Sequence, residues 1–218
     1  MIVRPSGDTM LLVEWEQVID PVINQRAIAL AARLQSRVGH LVRDIVPGYC
    51  SVGVHFDPLL TDVAVLERAI DEEARALRDD EAPPDRAVIE IPVRYGGAEG
   101  PDLAGVAEWA GCTVAEVVER HAGRSYRVYM LGFVPGFAYM GRVDASIATP
   151  RHRVPRERVP AGSVGIAGEQ TGVYPMATPG GWRIIGQTDT LMFDAARSTP
   201  NLVGPGDRVR FVPVTLGR

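Results

Sequence analysis

The sequence predicts an α+β protein in two parts: an N-terminal split-βαβ (ferredoxin-like) domain over residues 1–90, and a loop-rich β-barrel domain over residues 91–218. Three observations carry this reading. Two amphipathic helical patterns sit between short β-forming runs in the first ninety residues. From Tyr126 onward the pattern is β. The stretch from Gly132 to Gly186 is dense in glycine and proline yet neither polar nor low in complexity, with apolar β-formers (Tyr129 to Leu131, Val164 to Ala167, Trp182 to Ile185) alternating with turn formers. That alternation describes a compact barrel with shaped loops, not a linker.

In order, Asp8 to Trp15 reads as a first strand. Asp20 is an N-cap and Pro21 a first helical residue, followed by Ile23, Ala27, Leu30, Leu34 and Val38 at helical spacing, with Gly39 as the stop. Leu41 to Val46 and Cys50 to Phe56 read as strands around the turn Pro47-Gly48-Tyr49. Thr61 is expected to cap a second helix carrying Val63, Leu66, Ile70, Ala74 and Leu77, which Asp79 to Asp85 ends. Ala87 to Arg94 completes a βαββαβ order. This half has no phosphate loop and no clustered histidines or carboxylates, so it reads as a scaffold or interaction domain. Beyond it, Asp102 is expected to cap a short helix stopped by Gly111, and Thr113 with Glu116 forms a capping box for a helix reaching His121. Arg208 to Pro213 is the last strand.

Composition removes whole classes of chemistry. All 23 basic residues of the 218 are arginine. Without lysine there is no P-loop lysine, no Schiff base, no biotin attachment and no Ser-Lys dyad on this chain. A net charge of −4 gives no general attraction to nucleic acid or anionic membranes, and no apolar run is long enough for a membrane span. The expected compartment is the cytoplasm. Cys50 and Cys112 have no neighbouring Cys or His at zinc-ligand spacing, so reduced thiols and no metal site are expected.

The candidate substrate-binding residues are His121, at the turn into the Tyr126 strand; Phe133, Pro135, Gly136 and Phe137 of the PGF loop; Gln170 and Tyr174 of the loop GEQTGVYP; and Arg183 beside Gly180, Gly181 and Trp182. Phe133, Phe137 and Tyr139 supply an apolar wall, and loops of fixed shape present side chains with little freedom left to lose. Arg151, Arg153, Arg156 and Arg158 form the one basic cluster, a candidate partner interface or anion site. Ala161-Gly-Ser163-Val-Gly165 has the form of a nucleophile elbow, but no histidine is marked as its base, and a small polar residue in a strand-turn explains it as well. No residue is assigned a catalytic role.

The runs GFVPGFAYMG, TPRHRVPRERVPAGSVGIAGEQTGVYPMATPGGWRIIGQT and PGDRVRF, with VPGYCSVGVHFDP and IPVRYGGAEGPDL upstream, resemble the family that comprises the B-type subunit of 5-oxoprolinase, allophanate hydrolase subunit 1 and the KipI-type kinase inhibitor. Ala138 and Asp189 stand where the family pattern has proline. The resemblance implies a cyclophilin-like barrel for the C-terminal domain and a paired subunit, of the kind represented by allophanate hydrolase subunit 2 or the C-type subunit of 5-oxoprolinase, with a third, lactam-handling subunit. The implied reaction is ATP-dependent opening of 5-oxoproline to glutamate, with ATP and magnesium held at the level of the complex. A lactam is a poor electrophile, and phosphorylating its carbonyl oxygen creates a leaving group before water attacks. Two alternatives remain: a carboxyltransferase or allophanate-metabolism subunit, and a non-enzymatic inhibitor of a sensor histidine kinase.

Overall fold

A computed structural model describes residues 1–77 and 87–214. The expected helix end at Asp79 to Asp85 lies outside them. The chain divides into two compact units, Met1–Arg86 and Ala87–Arg218.

The first unit runs β1 (Ile2–Pro5), β2 (Met10–Glu14), α1 (Pro21–Val38), β3 (Asp44–Pro47), β4 (Ser51–His55) and α2 (Val63–Ala76), with an antiparallel sheet in the order β1-β2-β4-β3. Asp20 caps α1 as its chemistry requires, accepting from the N–H groups of Val22 (2.8 Å) and Ile23 (2.9 Å). The cap of α2 falls one residue later than expected. Asp62 accepts from Ala64 N–H, while the Thr61 hydroxyl turns away to donate to Leu41 O (2.5 Å). Both helices bury their apolar stripe against the sheet, Leu30, Leu34, Leu66 and Ile70 meeting Val13, Val52 and Val54 in one core. Buried Asn24 donates to Gly48 O and Tyr49 O, which ties α1 to the predicted turn.

The βαββαβ order is not what the unit adopts. The strand expected to close it is β5 (Ile89–Tyr95), and β5 is a stave of the second unit's barrel; the sheet edge beside β2 is taken instead by β1. Alternation of Ile89, Ile91 and Val93 announces a strand but not which sheet receives it.

The second unit continues with α3 (Leu103–Ala110), α4 (Val114–Ala122), β6 (Ser125–Leu131), β7 (Ala138–Gly141), β8 (Arg156–Val159), β9 (Ser163–Ala167), β10 (Gln170–Val173), β11 (Thr178–Gly180), β12 (Arg183–Gln187) and β13 (Arg208–Pro213). Seven strands close a barrel in the order β10-β7-β6-β13-β5-β12-β9, and β8 with β11 forms a separate two-stranded ribbon. Pairing of β5 with β13 is parallel. The interior is filled by Ile91, Val128, Met140, Val164, Ile166 and Phe211, so the barrel is a core and not a channel. The capping box of α4 forms as predicted between Thr113 and Glu116. Among the described residues no helix is long and apolar enough to cross a membrane.

His121 does not face a cavity. It is fully buried at the end of α4, stacked on Phe211 with ring centroids 4.7 Å apart. Thr171 Oγ1 gives its one proton to Gly165 O (3.0 Å), so toward His121 Nε2 (2.8 Å) it accepts. Full burial keeps the ring neutral, so its one proton is on Nε2 and Nδ1 accepts from the Tyr95 hydroxyl (2.7 Å). Burial, with the Arg124 charge adding to it, pushes the His121 pKa down to about 3.

A histidine held neutral in the fold but protonated below about pH 6.5 in the unfolded chain contributes stability that is complete above that pH and lost as pH falls toward 3. We predict that His121→Gln removes a stability slope of about 1.4 kcal/mol per pH unit between pH 6 and 4. Urea unfolding followed by tryptophan fluorescence at several pH values measures the difference; identical slopes would mean that His121 is charged in the folded protein.

Candidate functional site

A third hydrophobic cluster, apart from the two cores, is built on Phe137, Tyr174, Trp182 and Ile184. Phe137, just before β7, is its centre. Its ring meets Tyr139 (4.8 Å, 62°), Tyr174 (5.2 Å, 79°) and Trp182 (5.3 Å, 89°) edge to face, and exposed Phe133 adds a fourth such contact (5.6 Å, 86°). Edge-to-face pairs join the positive rim of one ring to the negative face of another, each worth about 0.5–1.5 kcal/mol beyond its burial. These rings line a cavity of about 290 Å³, completed by Pro155, Pro179, Gly180, Gly181 and Arg151.

The chain is shaped for close approach. A side chain at Gly180 would place its Cβ 2.4 Å from the Tyr174 hydroxyl oxygen. In the PGF loop, Gly132 N–H donates to Phe137 O and Phe137 N–H to Val134 O, and the tight path puts Phe133 at φ 69°, a left-handed conformation that costs a non-glycine residue about 1–3 kcal/mol. Gly136, at φ 82°, leaves no room for a Cβ against Phe193. Phe133, Pro135 and Gly136 also line a second cavity of about 360 Å³ with Phe193 and Asn201. Phe133 stands between the two.

A buried carboxylate fixes the rim. Asp102 precedes α3 but does not cap it: its Oδ1 accepts from Arg156 Nη2 (2.7 Å) and from His152 Nε2 (3.1 Å), and its Oδ2 from Ile184 N–H (2.6 Å). Burial alone would raise its pKa, but the hydrogen bonds from Arg156, Ile184 N–H and His152 outweigh that and hold the carboxyl below its ordinary value. The segment bearing Arg151 and Pro155 is thus clamped to α3 and β12. His152 N–H also donates to Gly181 O (2.7 Å), and Arg183 Nε to Pro150 O (3.1 Å).

A family model described as "Carboxyltransferase domain, subdomain C and D" matches residues 1–203. The chain belongs to this family. Among curated relatives, it is 45% identical to the B-type subunit of 5-oxoprolinase from Escherichia coli O157:H7 (97% of this chain, 95% of that one) and 36% identical to its namesake from Bacillus subtilis strain 168 (98% and 92%). Among solved structures it resembles TTHA0988 with a TM-score of 0.85 and 36% identity, covering 98% of this chain and 41% of that one. The chain thus spans about two fifths of that protein. Kluyveromyces lactis urea carboxylase shares the fold, with a TM-score of 0.76 at 20% identity over 98% of this chain and 22% of that one.

Within this carboxyltransferase-family barrel the expected site residues separate. Phe133, Phe137 and Tyr174 converge on the aromatic cavity, joined by Tyr139, Trp182 and Arg151; Pro135 and Gly136 line its neighbour. Gln170 opens β10, paired with Gly141 and Ala167, and is not among the residues lining either cavity. Arg183 braces the rim through Pro150. Arg156 turns inward to Asp102, leaving Arg151, Arg153 and Arg158 exposed. Ser163 is buried at the start of β9, and among the described residues its hydroxyl makes no hydrogen bond to a histidine or carboxylate. Both cysteines are free. Asp189 ion-pairs with Arg94 (2.5 Å), which also holds Glu99 (2.6 Å), so the departure from the family's proline brings an ionic tie to β5.

Asp102 and His152 were not legible as a site because they lie 50 positions apart. Replacing Asp102 by Ala should lower stability by about 2–4 kcal/mol, the cost of leaving a partly buried guanidinium without its counter-charge. It should also make Arg151 and Arg153 cleavable by trypsin in the folded protein. Urea unfolding and limited proteolysis read the two effects; unchanged cleavage would show that the rim is held by other contacts.

Proposed function

We propose that this chain is the B-type subunit of an ATP-dependent complex that opens 5-oxoproline to glutamate, and that it is silent without its partners. Those partners are a paired subunit, of the kind represented by allophanate hydrolase subunit 2 or the C-type subunit of 5-oxoprolinase, and a third, lactam-handling subunit. The observation that carries this reading is near-full-length likeness, at 45% identity, to the B-type subunit of the Escherichia coli 5-oxoprolinase. The aromatic cavity supports it chemically. A volume of about 290 Å³ accommodates a five-membered ring, ring faces attract polarised C–H groups, and the guanidinium of Arg151 matches a carboxylate. 5-Oxoproline has all three features.

Magnesium ATP belongs to the complex in this reading. The residues of this chain do not fit a nucleotide cradle of their own: lysine is absent from the sequence, and among the described residues no three His, Cys, Asp or Glu side chains converge as metal ligands. The role left to this chain is to bind and orient the substrate while partners supply the phosphoryl donor. The family description favours a second reading, in which this domain admits carboxybiotin carried by a partner and a bound substrate takes its carboxyl group, releasing biotin.

Phosphate and glutamate release from 5-oxoproline tests the two readings. The chain alone should be silent, and the reconstituted complex should turn over at about 1 per second, within the ordinary enzyme range. Tyr174→Ala should lower the rate of the complex about tenfold or more, and Gln170→Ala much less. Turnover by the isolated chain would refute the subunit reading; a silent complete complex that consumes carboxybiotin would establish the carboxyltransferase.

A further inference from the structure

The rim segment from Arg151 to Arg158 holds three exposed arginines, Arg151, Arg153 and Arg158, with no ion pair or hydrogen-bond partner among the described residues. Elsewhere in this unit Arg124, Arg142, Arg197 and Arg210 are each matched with a carboxylate, those of Asp144, Glu169, Asp194 and Glu90, while Arg208, also exposed, has none among the described residues and stands alone on β13. Between the unmatched charges Val154 is 81% exposed. The segment is nonetheless held in one shape, by the Asp102 clamp, by Pro155 and by the pairing of β8 with β11.

From this geometry we infer that the Arg151–Arg158 segment is the docking surface for an acidic face of the paired subunit. Val154 enters an apolar recess there, and Arg153 and Arg158 meet the partner's carboxylates. The inference rests on the subunit reading above. Three unmatched arginines against one exposed carboxylate, Glu157, leave the segment with an excess of positive charge that steers an acidic surface to the site. A segment already held rigid loses little further freedom on binding, and guanidinium groups suit bidentate recognition of carboxylates. The cavity beside the segment points the same way. Its lining carries a guanidinium and tyrosine hydroxyls but no carboxylate, imidazole or thiol among the described residues, so a partner seated on this rim would also bring the acid and base groups that the site lacks.

The test is assembly, measured without substrate. The chain is mixed with its paired subunit and followed by analytical ultracentrifugation at about 50 and 500 mM salt. The wild-type complex should weaken as salt rises. Arg153→Glu combined with Arg158→Glu should weaken association at least 100-fold at low salt and flatten the salt dependence; Val154→Asp should weaken it at least tenfold, and Arg68→Glu on α2 should leave it unchanged. Circular dichroism and unfolding of each variant establish that it is folded. Equal affinity of the double variant and the wild type would overturn the inference, as would failure of the wild-type chains to associate. Normal assembly combined with lost binding of ATP or inorganic phosphate would overturn it in favour of a small-anion site. A complex that assembles as expected yet releases no glutamate would refute the 5-oxoprolinase reading while leaving the docking surface standing.

Discussion

The Asp102 carboxylate holds three parts of the barrel's rim together: the start of α3, on which it sits, the backbone of β12 through Ile184, and the arginine-rich segment through His152 and Arg156. Removing a carboxylate from water is costly, and the cost is offset here because both oxygens accept from donors, one of them a guanidinium. The arrangement is directional. A neutral side chain of the same shape would keep the packing but lose the charge that draws Arg156 inward, and with it the reason that Arg151 and Pro155 sit at the cavity mouth.

The interior of the barrel takes no part in the candidate site. It is occupied by aliphatic side chains and by the ring stack of His121 and Phe211, so nothing can enter it. The cavity instead lies on the outside of the barrel, between the ribbon of β8 and β11 and the loop before β7, where Phe137 gathers the rings of Tyr139, Tyr174 and Trp182. Phe137, Tyr174 and Trp182 come from different connections between strands and Tyr139 from β7, and only barrel closure brings them together.

Much of this was written locally in the sequence. Asp20 and Pro21, the Thr113–Glu116 box and the turn at Pro47 to Tyr49 are short-range chemistry and appear as read. The density of glycine and proline from Gly132 to Gly186 marked shaped loops, and those loops supply most of the lining of the aromatic cavity, because close approach and fixed loops need those residues whatever surrounds them. Apart from the one-residue slip at the α2 cap, the misreadings are long-range. Ala87 to Arg94 carries the right period for a strand and no information about its neighbour; Asp102 has the residue type of a helix cap, and its carboxylate is claimed by groups 50 to 82 positions away. His121 looked like a cavity residue because a helix end is commonly exposed, whereas Thr171 and Tyr95 supply partners that let it be buried.

The parallel pairing of β5 with β13 sets residue 89 beside residue 209, so the first and last staves of the barrel are neighbours. During synthesis the remaining staves can form hairpins as they emerge, but the seam between them stays unsealed until residues 208–213 leave the ribosome. Such distant closure makes folding slow, and leaves the apolar faces of β5 and β6 uncovered in a nascent chain. Truncation or mistranslation within the last stave would therefore expose the inside of the whole barrel, and the cell's chaperones would meet this protein as an open sheet with two unpaired edges.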